Sequence, residues 1–157
     1  MTKEKTLRQR IRDGEVLVAL RGSVHTTKSQ LADIWSTGRY DYIWIDGQHT
    51  AFSEESFVAY CTVAEELGID VQLRIPHTRH AYLVGRYLDL GCSAVLVPEV
   101  MEEETVDDAV AYAYYPQIGQ RSWGGEARRG MRGVAQGMDR LAYAKWWNDY
   151  VVLSIQV

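Results

Sequence analysis

The sequence predicts an α/β fold built on a parallel sheet, and three observations carry that reading. Short, mostly apolar runs recur along the chain, at residues 16–20, 41–46, 71–75, 93–97 and 151–157. Amphipathic stretches with helix-start and helix-stop residues separate them. Strands apolar on both faces belong to parallel sheets covered by helices, whereas a sheet with one wet face would alternate. Finally, several runs end abruptly in polar residues, at Asp46, Arg74 and Pro98-Glu99. The C-terminal ends of parallel strands are where β/α folds carry their chemistry.

The elements follow in order. Residues 16–20 (VLVAL) are the first strand, and 27–36 a helix with Leu31, Ile34 and Trp35 on one face. Residues 41–46 form the second strand. Ser53 caps a helix that runs to about Leu67, with Glu54 and Glu55 in its acidic first turn and Gly68 as its stop. The third strand, 71–75, is broken by Pro76. A helix over 80–90 then carries Tyr82, Leu83, Tyr87 and Leu90 on one stripe and stops at Gly91. The fourth strand, 93–97, ends at Pro98, and Glu102-Glu103-Glu104 opens a helix to about Tyr114. Residues 119–137 hold six glycines and form a long loop, followed by a helix over 141–147 and a fifth strand over 151–157.

Two architectures fit this alternation: an open doubly wound sheet, or part of a (β/α)₈ barrel, which takes roughly 250 residues when complete. No G-x-G-x-x-G follows the first strand, where a dinucleotide-binding fold would want it. Periodicity leaves the choice open.

Composition bounds the function. The 157 residues are 46% hydrophobic and 24% charged, enough for a single domain with a real core. A net charge of -4 argues against broad affinity for nucleic acid. No apolar run approaches the ~20 residues of a membrane span, and the charged start Met1-Thr2-Lys3-Glu4-Lys5, with no apolar segment behind it, is not expected to act as a signal peptide. Cys61 and Cys92 lie in apolar periodic segments and are expected to be buried, reduced thiols of a cytoplasmic protein.

The stretch Tyr42-Ile43-Trp44-Ile45-Asp46-Gly47-Gln48-His49 concentrates the chemistry. A histidine oriented by a carboxylate is a candidate general base, since the acid fixes its tautomer and raises its basicity. The competing reading is an Asp-Gly turn with an exposed histidine at its edge. Arg74 ends an apolar strand, where a guanidinium needs an anionic partner: either a ligand, or a structural ion pair with Asp46 or Glu99. His77 and His80 have metal-like i, i+3 spacing but no third ligand nearby, and are expected at an exposed helix start. His25 follows the first strand, with nothing specific to assign it. Arg121, Arg128, Arg129 and Arg132 in the glycine-rich loop could meet an anionic substrate tail or form subunit contacts. Trp146-Trp147 and Tyr114-Tyr115 are expected to pack.

Four segments together resemble the HpcH/HpaI aldolase family, metal-dependent enzymes of the citrate-lyase/phosphoenolpyruvate barrel group. Asp46-Gly47-Gln48-His49 is similar to that family's D-G-E/Q-H strand end, and Arg74-Ile75-Pro76 to its R-x-P. Residues 88–98 resemble its L-D-x-G-x-x-x-x-L-x-P run, and residues 115–121 its Y-P-P-x-G-x-R. The resemblance covers nearly the whole chain.

It implies a TIM barrel, of which residues 1–157 are expected to form the first five strands of eight, in a single domain truncated at the fifth strand. It also implies a class II-type aldolase (a carbon–carbon lyase) joining a 2-keto acid such as pyruvate or hydroxypyruvate to an aldehyde. His49 with Asp46 would manage the proton, Arg74 would hold the keto acid and steady its enolate, and Gln48 would bind substrate or a metal-bound water, or else merely cap the loop. A divalent metal (magnesium, manganese or cobalt) is implied for the complete barrel, its carboxylate ligands expected beyond Val157 and none within the chain. The chain alone is accordingly expected to be inactive, and the whole protein a homo-oligomer, a hexamer by resemblance. Two alternatives stand beside this: a non-catalytic or split-barrel piece that acts as a binding or assembly module, and an acyl-CoA ester lyase of the citrate-lyase branch.

Overall fold

The computed structural model describes residues 5–124 and 135–157. Helix α1 (Leu7–Arg12) opens the chain, and β1 (Ala19–Arg21), α2 (Lys28–Trp35), β2 (Tyr42–Asp46), α3 (Glu54–Glu66) and β3 (Val71–Arg74) follow. A 3₁₀ segment (Thr78–Leu83) leads into α4 (Val84–Asp89), and then come β4 (Ala94–Val97), α5 (Glu103–Ala113), α6 (Arg140–Tyr150) and β5 (Val152–Ile155).

The five strands form one parallel sheet in the order β1-β2-β3-β4-β5. Each crossover moves one strand onward, so the strand order never reverses. A doubly wound sheet needs such a reversal, and a barrel does not. This decides the architecture in favour of the barrel type.

Register sorts the side chains. Arg21 pairs with Trp44, Asp46 with Arg74, Gln72 with Ala94 and Leu96 with Ser154, which places these residues on one face. Ile43, Ile45, Val71, Leu73, Val95 and Val97 alternate onto the other face and are buried with Phe57, Ala64, Leu88 and Ala109 of the helices. The first face is concave. Gln72 Nε2 donates to Ser154 Oγ at 3.3 Å, across the intervening strand β4, where Gln72 pairs with Ala94 and Ser154 with Leu96. Strands two apart lie roughly 9–10 Å from one another in a flat sheet, too far for such short side chains to meet comfortably.

At the N-terminal end of this face Leu7 of α1 packs against Ala94, Val152, Leu17 and Tyr42. Helix α1 thereby closes the bottom of the concavity and leaves its C-terminal rim open. Sequence reading overlooked α1, although Thr6 and Gln9 form a capping box: Thr6 Oγ1 accepts the Gln9 N–H, and Gln9 Oε1 accepts the Thr6 N–H.

Two further expectations are corrected. The first strand begins at Ala19, not at residue 16: Val16 is 91% exposed, and the pairing with β2 starts only at Ala19–Tyr42. The helix expected over 80–90 is a 3₁₀ turn followed by α4, because His77 caps the turn three residues early through Nδ1, which accepts the Arg79 N–H. Ser53 caps α3 as expected, its Oγ accepting the Ser56 N–H, and Gly68 stops the helix with a φ of 70°. Cys61 and Cys92 are buried and form no disulfide. Among the described residues no helix is long and apolar enough to cross a membrane.

Candidate active site

The site grows from the ends of β1, β2 and β3. Gly47 continues the ladder past Asp46, its N–H donating to the Arg74 carbonyl at 2.9 Å. A Cβ at this position would lie 2.6 Å from that same carbonyl oxygen, so only glycine lets the two strand ends close together. Asp46 and Arg74 are then direct neighbours across the ladder.

They form a two-point ion pair. Arg74 Nε donates to Asp46 Oδ1 at 3.0 Å, and Nη2 to Oδ2 at 2.6 Å. Asp46 Oδ1 also accepts the backbone N–H groups of Gln48 (3.0 Å) and His49 (3.2 Å). This carboxylate is 4% exposed. Burial pushes its pKa up, but the Arg74 hydrogen bond and the His49 and Gln48 N–H groups outweigh that, and the net result lies below the ordinary carboxylate value.

Trp44 floors the site, two residues before Asp46 on the same face. The guanidinium carbons of Arg74 and Arg21 stand 5.1 and 5.7 Å from its ring centroid. Arg21 Nη2 is 3.7 Å from Asp46 Oδ2, near enough to share its charge but beyond hydrogen-bonding distance.

The carboxylate–histidine pairing inferred from the sequence takes a different form. Asp46 binds the His49 backbone N–H, and the exposed imidazole is left projecting at the rim. A short acidic side chain reaches the N–H groups two and three residues ahead more readily than a ring on the same turn. Gln48 is half-buried on that turn. Glu99, after the end of β4, is exposed and holds a left-handed φ of 50°; among the described residues it joins no ion pair.

Other candidates have partners of their own. Arg121 is buried in the outer layer, paired to Asp89 at 2.7 Å and lying over the rings of Trp147 and Tyr115, so it cannot meet a rim substrate. Arg128, Arg129 and Arg132 lie outside the described residues. Trp147 and Tyr115 pack as expected, fully buried among Tyr143 and Trp123. His77 is spent on its cap, and His80 Nδ1 lies 3.2 Å from the Tyr87 hydroxyl.

A divalent cation does not fit the described residues. Both oxygens of Asp46 are committed, and no group of three or more His, Cys, Asp or Glu side chains converges among the described residues. What the rim offers is a guanidinium fixed by a buried carboxylate, a second guanidinium nearby, an indole floor and an accessible imidazole. Those groups suit recognition of a small carboxylate and transfer of a proton beside it.

Two comparisons with known proteins found similar chains. Over 151 residues the chain is 28% identical to the 2-keto-3-deoxy-L-rhamnonate aldolase of Escherichia coli K12, a match covering 96% of this chain and 54% of that protein. The Salmonella gallinarum protein of the same name is 28% identical over 122 residues, covering 78% of this chain and 45% of that protein. Among solved structures, an HpcH/HpaI aldolase from Desulfitobacterium hafniense superposes with a TM-score of 0.77 at 25% identity, covering 97% of this chain and 56% of the other. The chain is similar to an HpcH/HpaI aldolase in fold and sequence. Macrophomate synthase is a further neighbour of this aldolase-like chain, with a TM-score of 0.74 at 25% identity over 97% of this chain and 53% of that one. No protein-family model matches the sequence. The HpcH/HpaI-like chain spans about half the length of the curated relatives it matches.

Proposed function

We propose that the protein carrying these residues is a class II-type aldolase, which adds a 2-keto acid such as pyruvate or hydroxypyruvate to an aldehyde, and that residues 1–157 are part of a single barrel domain. The observation that carries this reading is the Asp46–Arg74 pair at the ends of adjacent parallel strands, with an exposed His49 on the same turn. The aldolase names of the relatives support it.

In this reading the keto-acid carboxylate and carbonyl oxygen face Arg74, whose orientation Asp46 fixes before substrate arrives. His49 takes a proton from the carbon next to the carbonyl. The electron pair of that C–H bond moves into an enolate, and the negative charge on its oxygen is met by the guanidinium. The enolate carbon adds to the aldehyde carbonyl, and the new alkoxide recovers the proton from His49. Gln48, on the same turn, hydrogen-bonds substrate. Magnesium, manganese or cobalt would need ligands from outside the described residues. A cytoplasmic homo-oligomer, hexameric by resemblance, completes the proposal.

The test is turnover of pyruvate with a panel of aldehydes. His49→Ala should lower the rate by the ~10²–10⁴-fold typical of a lost general acid–base group. Unchanged turnover in this variant would reject the role given to His49.

A further inference from the structure

Arg74 has less to offer a substrate than its position suggests. A guanidinium grips a carboxylate best through two parallel N–H bonds from one edge. In Arg74 the Nε/Nη2 edge is already used on Asp46, and the charge is largely balanced by that buried carboxylate. The Nη1/Nη2 edge can still donate, but to a ligand it presents a guanidinium whose charge Asp46 already offsets. A second cation whose charge is not balanced in this way would add to the attraction for a small carboxylate at this rim.

Arg21 is that cation. It is the last residue of β1, and its register with Trp44 sets it on the concave face. Its side chain is 67% exposed, its Nη2 approaches the same Asp46 oxygen that Arg74 holds, at 3.7 against 2.6 Å, and it makes no hydrogen bond there. Trp44 lies under both guanidinium groups. Two guanidiniums thus surround one carboxylate, leaving one positive charge unbalanced above an indole floor. Arg21 can turn away from Asp46 without breaking a bond, so it costs little to redirect toward a ligand.

We infer that Arg21 and Arg74 form a two-arginine clamp on Trp44, in which Arg21 supplies the main anion-docking group for a small carboxylate. The assignment rests on the aldolase reading for its biological use, but the clamp can be tested without turnover. Oxalate is the probe, titrated into the protein while the Trp44 indole N–H and the arginine Nε–H resonances are followed by NMR. Saturable shifts should appear at Trp44, Arg21 and Arg74. Arg21→Gln should weaken binding roughly tenfold, the loss expected for one charge-assisted contact. Arg21→Lys, which keeps the charge without the planar fork, should recover part of it. Position 21 is exposed, so both variants should retain the amide spectrum of the fold.

Equal oxalate affinity in Arg21→Gln, shifts that map away from Trp44, or no saturation in the parent protein would each overturn the clamp. A whole protein, with the rest of the barrel present, that binds oxalate in this pattern yet turns over no keto acid would leave the clamp standing and remove the aldolase reading instead.

Discussion

Asp46 carries more of the structure than any other single side chain at the rim. It holds Arg74 at two points and ties down the turn through the Gln48 and His49 N–H groups, with only 4% of its surface exposed. Removing one partner of a buried ion pair leaves the other uncompensated, at a cost of about 3–5 kcal/mol. Asp46→Ala should fall near the lower end of that range, since Arg74 keeps 13% exposure, and urea denaturation measures it. The depressed pKa of Asp46 adds a pH signature. Its stabilisation is fully present above the carboxylate's unfolded value of about 4 and is lost as pH falls through the lower folded value. The acid limb of the stability curve should accordingly flatten in Asp46→Ala; an unchanged limb would show that another group sets it. The sequence identified Asp46 and Arg74 and weighed an ion pair between them. It did not reveal that the acid would prefer the backbone of His49 to the ring, because a D-G-x-H spacing serves both arrangements. Arg21 lies one residue beyond the first strand that the apolar run 16–20 predicts, and only the register with Trp44 shows that it stands on the concave face.

At the level of elements, the site depends on how closely β2 and β3 approach beyond their last ladder pair. Gly47 makes that approach possible, with the Arg74 carbonyl 2.6 Å and Leu73 Cδ1 3.3 Å from where a Cβ would stand. A backbone carbonyl inside a ladder cannot move aside as a flexible side chain can. Gly47→Ala should destabilise the protein by about 1–3 kcal/mol, as overpacking does, and should spread the Asp46 and Arg74 backbones apart. Thermal unfolding together with loss of the Arg74 Nε–H resonance would register both effects; a wild-type melt would mean the turn relaxes freely. Strands β2 to β5 were legible because their apolar runs are bounded by glycine, proline or charge. Helix α1 was not, since six residues carry little periodicity and only the Thr6–Gln9 capping box marks them. The edge of β1 misled for a different reason: Val16 and Val18 are apolar yet exposed, so hydrophobicity alone set the strand too early.

For the whole molecule, sequential strand order and a shared register bring three strand ends to one rim while α1 seals the opposite end of the concave face. Apolar strands with amphipathic helices between them implied the parallel sheet, but not its order; resemblance across four motifs implied the barrel, and the topology then showed it. The central claim is that this rim removes a proton from the carbon beside a keto group. Exchange of the pyruvate methyl protons in D₂O, followed by NMR with no aldehyde present, isolates that step from addition and product release. The account predicts exchange by a whole protein in which the rest of the barrel accompanies these residues, slowed ~10²–10⁴-fold in His49→Ala, with weaker pyruvate binding as well as slower exchange in Arg74→Ala. Exchange at the parent rate in His49→Ala would contradict it.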